Sequence, residues 1–341
     1  MNNHQSLTCL KTFGGVFVVF FIACSIQADV MRTQSIALHR GWNAVFLQVA
    51  PTNSKPSDCF QGTPVTIAAA FTGADKSVQF VQNPSTNILT QKNGWDIWYA
   101  TDRADAFLTS FFQLNGNKPY LLYSERDYVW ALTGAALFNS VKWKAKSFTL
   151  TGFGVDGTSP PTFDQFFDGS IQHHPYQFYR LVNDAWVKVD NAQTTQMRSG
   201  EAYWIYCHGS SDYQGPLGIK IPVGQTVSLH GGNAAGLALQ NNSRNPLGVQ
   251  VEILSGNAQL PLAYLLRAVT DTNVSSAAYD LPNAYSMPSF DAGEKRGFWL
   301  ALRPERMTAN TQSGLLKITT DLGTQSWVPI LGTRSDSQTA N

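Results

Sequence analysis

The most constraining stretch of this sequence is residues 199–207, which read Ser-Gly-Glu-Ala-Tyr-Trp-Ile-Tyr-Cys. A glycine turn opens here into a run of aromatic and β-branched residues, and such a run favours a pleated, half-buried strand. A weaker copy occupies residues 116–123, and helical periodicity is hard to find after residue 30. The two runs therefore predict an all-β protein built around a tandem repeat.

Length and composition agree with this interpretation. A chain of 341 residues predicts two or three domains, each large enough to bury a core. The sequence is 43% hydrophobic and 14% charged, which is typical of globular rather than disordered proteins. Its 27 glycines and 16 prolines fit many short strands joined by turns.

The second unit repeats the order of segments in the first. The matched pairs are 147–153 with the opening run 35–49, 161–166 with 56–60, 176–179 with 77–81, 185–189 with 94–99, 200–206 with 116–123, and 219–222 with 128–132. The first unit is longer in its middle loops, as expected when insertions fall at the surface. The order predicts two copies of one β-rich module.

The motifs of these units resemble those of bacterial exported and cell-surface proteins with tandem β-modules. The resemblance lies in a Gly-Trp-Asn opening at residues 41–43 and in the Gly-x-Ala-Tyr-Trp-Ile strand at 200–205, and it covers about residues 33–222. The second unit has Gly152-Phe153-Gly154 where Gly-Trp-Asn is expected. The resemblance implies a β-rich surface module and no catalytic residues.

A third unit follows, with a different pattern. Residues 247–254 alternate in hydrophobicity, and residues 292–302 read Ala-Gly-Glu-Lys-Arg-Gly-Phe-Trp-Leu-Ala-Leu. This order, continued by 314–320 and 325–330, is similar to that of bacterial immunoglobulin-like domains, which implies two packed sheets. We expect Phe298, Leu300 and Leu302 to point into the core and Trp299 to point outward.

The predicted fold class is therefore all-β, with two tandem repeated β-rich modules and a C-terminal immunoglobulin-like β-sandwich. The expected boundaries are a signal peptide at 1–28, β-module 1 at 29–140, β-module 2 at 141–223, the sandwich at 224–333 and a flexible tail at 334–341.

The N-terminus is typical of an export signal. Lys11 is its one positive residue, and residues 13–22 are nearly all apolar, a length that suits a signal peptide better than a membrane span. Cleavage after Ala28 would leave Asp29 first, in a secreted or extracytoplasmic protein. The alternative is a lipoprotein, because residues 21–24 resemble a lipobox in which Cys24 would carry a lipid anchor. No later run is long enough for a transmembrane segment.

Charge and cysteine content limit the partners. The chain has 24 Lys and Arg against 23 Asp and Glu, and Lys11 is lost with the signal, so the mature chain is neutral. A neutral surface gives no reason to expect nucleic acid as a partner. Cys59 and Cys207 remain after cleavage, and they either form one disulfide or stay as two buried thiols, which we favour because they lie at non-equivalent points of the repeats.

The motifs of catalysis and cofactor binding are weak. Residues 152–157 fit G-x-G-x-x-G, but strands and prolines surround them, so we expect a plain glycine turn. His173 and His174 lack a third ligand at a recognisable spacing. Cys207 and His208 are adjacent on a strand and so point to opposite faces. We predict no catalytic, cofactor or metal residues, and interpret the acids at 102, 105, 125 and 127 as a solvated loop face.

Aromatic residues are the remaining candidates for a ligand site. A row of exposed rings could stack against sugars. Both faces of the 200–206 strand are apolar, which favours burial of most of these rings. We expect Trp98 and Trp143 at the surface as ligand-stacking candidates, because each has polar or basic neighbours.

Two functions from different classes fit this pattern. The first is a non-catalytic exported or cell-surface protein that acts as a binding, adhesion or scaffold module. The alternative is a carbohydrate-binding protein or an accessory module of a secreted hydrolase system. The expected partner is accordingly a protein or a glycan at the cell surface.

Overall fold

The computed structural model describes residues 30–72, 94–254, 259–269 and 274–334. The predicted signal peptide, the predicted strand at 77–81 and all but the first residue of the predicted tail lie outside these ranges. Strands dominate the described residues, so the all-β fold class is confirmed. None of the helices in these ranges is long and apolar enough to traverse a bilayer.

The first unit consists of two packed sheets and one short helix. Its described elements are β1 (Met31–Leu38), β2 (Gly41–Leu47), β3 (Val49–Pro51), α1 (Pro56–Cys59), β4 (Val65–Phe71), β5 (Trp95–Tyr99), a 3-10 turn (Ala106–Leu108), β6 (Lys118–Ser124) and β7 (Tyr128–Ala136). The sheets have the orders β1-β7-β3 and β2-β6-β4-β5. Apolar residues of both sheets meet in one core, which also takes Phe60, just after α1.

The second unit has one sheet and one helix. Its described elements are β8 (Ser147–Gly152), α2 (Phe163–Phe167), a 3-10 turn (Ile171–His173), β9 (Phe178–Val182), β10 (Ala185–Lys188) and β11 (Ala202–Cys207). Helix α2 begins with a capping box, in which the Thr162 hydroxyl accepts from the Gln165 N–H and the Gln165 side chain accepts from the Thr162 N–H. Phe163, Phe166 and Phe167 fill the core behind the sheet.

The four-stranded sheets of the two units share one topology. When the four strands of each sheet are numbered in chain order, their spatial order across the sheet is 1-4-2-3. The two sheets are β2-β6-β4-β5 and β8-β11-β9-β10. The ladders place Tyr120 and Tyr203 at equivalent positions of the last strand, and Trp95 and Trp186 at equivalent positions of the third. The hydroxyls of both tyrosines accept a hydrogen bond of 2.7 Å from the N–H five residues earlier.

The register differs from the sequence expectation in two places. The counterpart of β9 is β4, rather than the segment 77–81. Gly152 is the last residue of β8, and its equivalent position in the first unit is Phe46 of β2. Gly41 is the first residue of β2, so Gly41 and Gly152 are not equivalent. A side chain at Gly152 would lie 2.3 Å from the Phe46 Cβ, so glycine is needed for the close approach of the two units there.

The two sheets pack against each other through their remaining faces. Ala44, Phe46 and Leu121 of the first unit share a core with Leu150 and Trp204 of the second. The Phe46 N–H also donates to the Gly200 carbonyl at 2.8 Å. Both faces of these sheets are therefore covered, which explains why their strands are apolar on both sides.

The C-terminal unit is a two-sheet sandwich. Its described elements are β12 (Leu217–Lys220), β13 (Val227–His230), β14 (Ala234–Asn241), β15 (Leu247–Leu254), β16 (Leu262–Val269), β17 (Val274–Asp280), β18 (Ala284–Phe290), β19 (Lys295–Leu302), a 3-10 turn (Pro304–Arg306), β20 (Thr311–Thr320) and β21 (Gln325–Thr333). The sheet orders are β12-β14-β19-β16-β17 and β13-β21-β20-β15-β18.

The core of the sandwich follows the sequence expectation, but its N-terminal boundary does not. Phe298, Leu300 and Leu302 are buried between the sheets, as predicted. Strand β12, which was expected to close the second unit, pairs with β14 of the sandwich. Its alternating Leu217 and Ile219 bury their side chains in the sandwich core, which is the physical reason for the shift.

Candidate functional site

The two tryptophans proposed from the sequence as ligand-stacking residues are both packed against other rings. Trp98 on β5 is 7% exposed and lies 5.2 Å from the Phe60 ring in the core of the first unit. Trp143 is half-buried, and its indole N–H donates to the Tyr213 carbonyl. The expected exposure of Trp98 is therefore wrong, because strand alternation turns it into the core between the two sheets.

The Trp143 ring closes the aromatic core of the second unit. Its centroid lies 4.4 Å from that of His173 and 6.4 Å from that of Phe153. All nine tryptophans of the chain fall in the described ranges, and none of them is exposed there. A platform of exposed tryptophans, the simplest sugar-binding surface, is therefore not formed by these residues.

The histidine and serine of the second unit form a buried pair. Ser170 Oγ lies 2.6 Å from His173 Nδ1, and burial lowers the pKa of His173 to about 4. The two residues are three apart in one turn, and His173 is 0% exposed. A substrate cannot reach this pair, so it stabilises the turn rather than acting as a nucleophile and base.

The two cysteines in the described ranges are free thiols, of which Cys207 is buried, as expected, and Cys59 is half-buried. Burial raises the pKa of both, that of Cys59 to about 11, and thiols held in the neutral form are poor nucleophiles. The Cys207 thiol donates to the Gly209 carbonyl, while the His208 ring contacts the Pro175 carbonyl. No group of three or more metal-ligating side chains occurs in the part of the chain that the structure describes.

Three of the four acids interpreted from the sequence as a loop face, Asp105, Glu125 and Asp127, each have a separate partner. Asp105 pairs with Arg103 at 2.8 Å, which lowers the pKa of that carboxyl. Glu125 accepts from Thr66, and Asp127 accepts from the N–H of residue 40. These carboxylates hold loops together and do not converge on one point.

The glycine-rich segment 152–157 builds the junction between the second unit and the sandwich. The Gln325 N–H donates to the Gly154 carbonyl at 2.9 Å, and the Asp156 N–H donates to the Gly323 carbonyl at 2.8 Å. The Asp156 carboxylate accepts from the Thr158 and Ser159 N–H groups and from the Gln325 amide. The hydrogen bond from the Thr158 hydroxyl at 2.6 Å and those from the two N–H groups lower the pKa of Asp156 to about 2. The motif is therefore a docking turn and not a phosphate-binding loop.

Glycine at position 154 is a steric requirement of this junction. A Cβ built there would lie 2.1 Å from the Gln325 carbonyl oxygen, which is far inside van der Waals contact. A Cβ at Gly157, three residues later, would meet nothing within 4 Å. Position 157 therefore has room for a side chain, whereas position 154 does not.

The first unit joins the sandwich through a cation–π contact. The Arg32 guanidinium lies 4.2 Å from the centre of the Trp327 ring. Arg32 also donates to the Gln48 amide at 2.9 Å, and Gln48 donates to the Phe153 carbonyl at 3.1 Å. Burial lowers the pKa of Arg32 to about 10. These contacts connect the first unit to the sandwich at Trp327 and to the second unit at Phe153.

A crevice lies at this three-way junction. Its walls include Gln48, Asn117, Phe153, Gln325 and Trp327, and none of the side chains that line it is ionisable. The crevice has a volume of about 40 Å³, enough for two or three waters at roughly 10–15 Å³ each. Asn117 Oδ1 and Trp327 Nε1 lack hydrogen-bond partners among the described residues, so water is the occupant that suits their polarity.

Strand β17 forms one outer edge of the sandwich, and its Ala278 carbonyl accepts a hydrogen bond of 3.1 Å from the Arg303 guanidinium. Strand β17 ends its sheet and pairs with β16 on one side only. Residues 275–280 are all exposed, so both faces of this strand contact solvent. Sequence reasoning missed this strand, because its small residues at 275–278 carry no hydrophobic alternation.

Comparisons with known proteins identify no family. Neither a family model nor a curated protein matches the chain. Among solved structures, the chain is similar to the periplasmic chaperone SfaE, with 10% identity and a TM-score of 0.25 over 35% of this chain and 57% of that one. For the chaperone YadV the values are 12%, 0.24, 35% and 52%. The match spans little more than half of each chaperone.

A second similarity covers more of the chain. The protease VesB of Vibrio cholerae matches 88% of this chain and 99% of its own, at 8% identity and a TM-score of 0.22. With such low TM-scores, neither likeness assigns an activity to this protein.

Proposed function

We propose that the mature chain is a non-catalytic exported protein that acts as a binding, adhesion or scaffold module outside the cytoplasm. The signal-like N-terminus, with Lys11 followed by the apolar run 13–22, supports export. The expected mature protein begins at Asp29, and lipidation at Cys24 is the alternative.

The observation that carries this proposal is the way the three β units are joined. Backbone bonds at Gly154, the Asp156 carboxylate and the Arg32–Trp327 contact connect the sandwich to both preceding units. Flexible linkers would let domains move around a substrate, whereas these contacts hold surfaces in fixed positions. Fixed surfaces suit a protein that presents binding sites.

The proposal includes a duplication of the first two units. Their shared strand order supports it, and so do the hydroxyl bonds of Tyr120 and Tyr203. Three residues before each tyrosine, Asn117 and Gly200 both have positive φ, the conformation that asparagine and glycine tolerate best. The module resemblance noted from the sequence leads to the same proposal.

We also propose that the C-terminal sandwich is immunoglobulin-like. In chain order, β12, β14, β15, β16, β19, β20 and β21 take the places of strands A to G. The sheets then contain A-B-E-D and C-F-G, the order of the constant-type immunoglobulin fold. Strands β13, β17 and β18 are additions to this pattern.

Export is tested by expressing the full chain in a bacterial host and measuring the mass of the protein recovered outside the cytoplasm by mass spectrometry. The expected mass is that of a chain beginning at Asp29. A mass that includes Met1 or Lys11 would contradict the proposal, and a diacylglyceryl group on Cys24 would select the lipoprotein form.

A glycan array with the same purified protein separates the binding role from the carbohydrate-binding alternative. We expect no specific glycan, because the tryptophans of the described residues are packed and the crevice is small. Saturable binding of one glycan class that Trp143→Ala abolishes, with the fold retained, would favour the alternative instead.

A further inference from the structure

Arg32 carries a partly buried positive charge that no acidic side chain balances in the described part of the chain. Its guanidinium lies over the Trp327 ring and donates to the neutral Gln48 amide, while its Nε is buried and has no hydrogen-bond acceptor among the described residues. Burial alone accounts for its lowered pKa. A charge removed from water is costly unless an opposite charge lies beside it.

Other partly buried arginines of the chain do have such a partner. Arg180 pairs with Glu201 at 2.9 Å, between side chains that are 13% and 14% exposed. Arg296 pairs with Glu294 at 2.5 Å. Arg32 therefore differs from them in having only a neutral amide and an aromatic ring as partners, which indicates that its counter-charge comes from outside the chain.

The surroundings of Arg32 offer a second donor and the space for a ligand. The Trp327 indole N–H is also buried and lacks an acceptor among the residues that the structure describes. Gln48 and Trp327, which both contact Arg32, line the junction crevice of about 40 Å³. Two N–H groups, one of them on a cation, thus lack an acceptor at this junction.

The chemistry of the site indicates which ligand fits. Water can accept from an N–H group but cannot balance a positive charge, whereas one negative charge balances one guanidinium. A halide ion is only slightly larger than water, so the crevice has room for one ion with a water beside it. Asn117 Oδ1, which can only accept, suits that water, because a water can donate both to the amide oxygen and to an anion.

We propose that a small monovalent anion, of the size of chloride, binds at the junction crevice between the Arg32 guanidinium and the Trp327 indole N–H. It accepts from Arg32 Nε and Trp327 Nε1, and a water links it to Asn117 Oδ1. Because Arg32 belongs to the first unit and Trp327 to the sandwich, the anion stabilises the contact between these two units. This site goes beyond the proposed binding role and does not depend on export.

The first test is thermal unfolding of the purified mature chain while chloride replaces gluconate at constant ionic strength. Constant ionic strength keeps the screening of surface charges equal. We expect the unfolding midpoint to rise by about 2 °C and then to reach a plateau, because a single binding site saturates. A midpoint that does not change with chloride would overturn the proposal.

Variants separate binding at the junction from a general effect of salt. Arg32→Gln removes the charge, and Trp327→Phe removes the N–H but keeps a ring, so each should lose the rise. Arg126→Gln should keep it and is the matched control, since Arg126 also lies near an aromatic ring, that of Tyr128, but is exposed. Circular dichroism checks that each variant is folded. An equal rise in the wild type and in Arg32→Gln would overturn the proposal.

Bromide locates the ion in the wild-type chain and so does not depend on a variant that folds. Crystals grown in bromide should show an anomalous-scattering peak within hydrogen-bond reach of Trp327 Nε1 and Arg32 Nε. Peaks confined to exposed side chains would mean an adventitious ion only and would overturn the proposal. A junction without a peak, at a bromide concentration where the unfolding midpoint has reached its plateau, would do the same.

Discussion

At the residue scale, single hydroxyl groups anchor the last strand of each module. Tyr203 is 1% exposed, and its hydroxyl accepts from the Arg198 N–H at 2.7 Å and contacts the Glu201 carboxylate at 3.1 Å. The Tyr120 hydroxyl likewise accepts from the Asn115 N–H at 2.7 Å. The sequence shows the aromatic run, but it cannot show a bond that depends on the turn folding back by five residues.

Removing the Tyr203 hydroxyl should destabilise the protein. Tyr203→Phe leaves the Arg198 N–H without its partner, which typically costs about 1–3 kcal/mol. The measurement is urea unfolding of the mature chain. Tyr206→Phe on the same strand is the matched control, since the Tyr206 hydroxyl makes no hydrogen bond to the described residues. Equal effects of the two substitutions would show that this bond contributes nothing.

The buried His173 should make stability depend on acid pH. Its pKa is lowered to about 4, whereas in the unfolded chain it stays near the ordinary 6.5. The unfolded chain therefore takes up the proton first, and stability is lost as the pH falls from 6.5 to 4. A shift of this size corresponds to about 3 kcal/mol.

The matched variant for this prediction is His173→Phe, which fills the same space among aromatic rings without a titrating group. Its unfolding free energy should fall less steeply between pH 6.5 and 4 than that of the wild type. Identical slopes for the two proteins would contradict the assignment of this pH dependence to His173.

At the scale of elements, the alternation along β19 shows what a strand pattern predicts. Phe298, Leu300 and Leu302 face Leu316 and Ile318 in the core, as expected. Trp299 on the other face lies over Gly236, where a Cβ would come within 3.0 Å of the ring. The buried side chains of a strand with one buried face were therefore predictable from the sequence. The strands of the two modules are apolar on both faces, so their sequence does not indicate which rings reach the surface.

Truncating the centre of β19 should be costly. Leu300 is 0% exposed, and Leu300→Ala should lower the free energy of unfolding by about 2–5 kcal/mol. Thr311→Ala, at an exposed position of β20, should change it little. The neighbouring Gln312 is unsuitable as a control, because it is 7% exposed and its side chain accepts from the Thr308 N–H. A negligible effect of Leu300→Ala would exclude a packed core around β19.

At the scale of the whole molecule, the units are connected by residues far apart in sequence. Arg32 meets Trp327, and Asp156 meets Gln325. No local pattern in the sequence predicts these pairs, because each residue taken alone reads as an ordinary strand end or turn. The same holds for the G-x-G-x-x-G segment, whose spacing was visible but whose role as a docking turn depends on the sandwich.

The central claim is that these contacts make the three units one rigid body, and differential scanning calorimetry of two glycine variants tests it most directly. Gly154→Ala forces a Cβ to within 2.1 Å of the Gln325 carbonyl, whereas Gly157→Ala meets nothing within 4 Å. We predict one cooperative transition for the wild type and for Gly157→Ala, and for Gly154→Ala a transition that splits as the sandwich separates from the modules. A Gly154→Ala trace that coincides with that of Gly157→Ala would contradict a rigid junction.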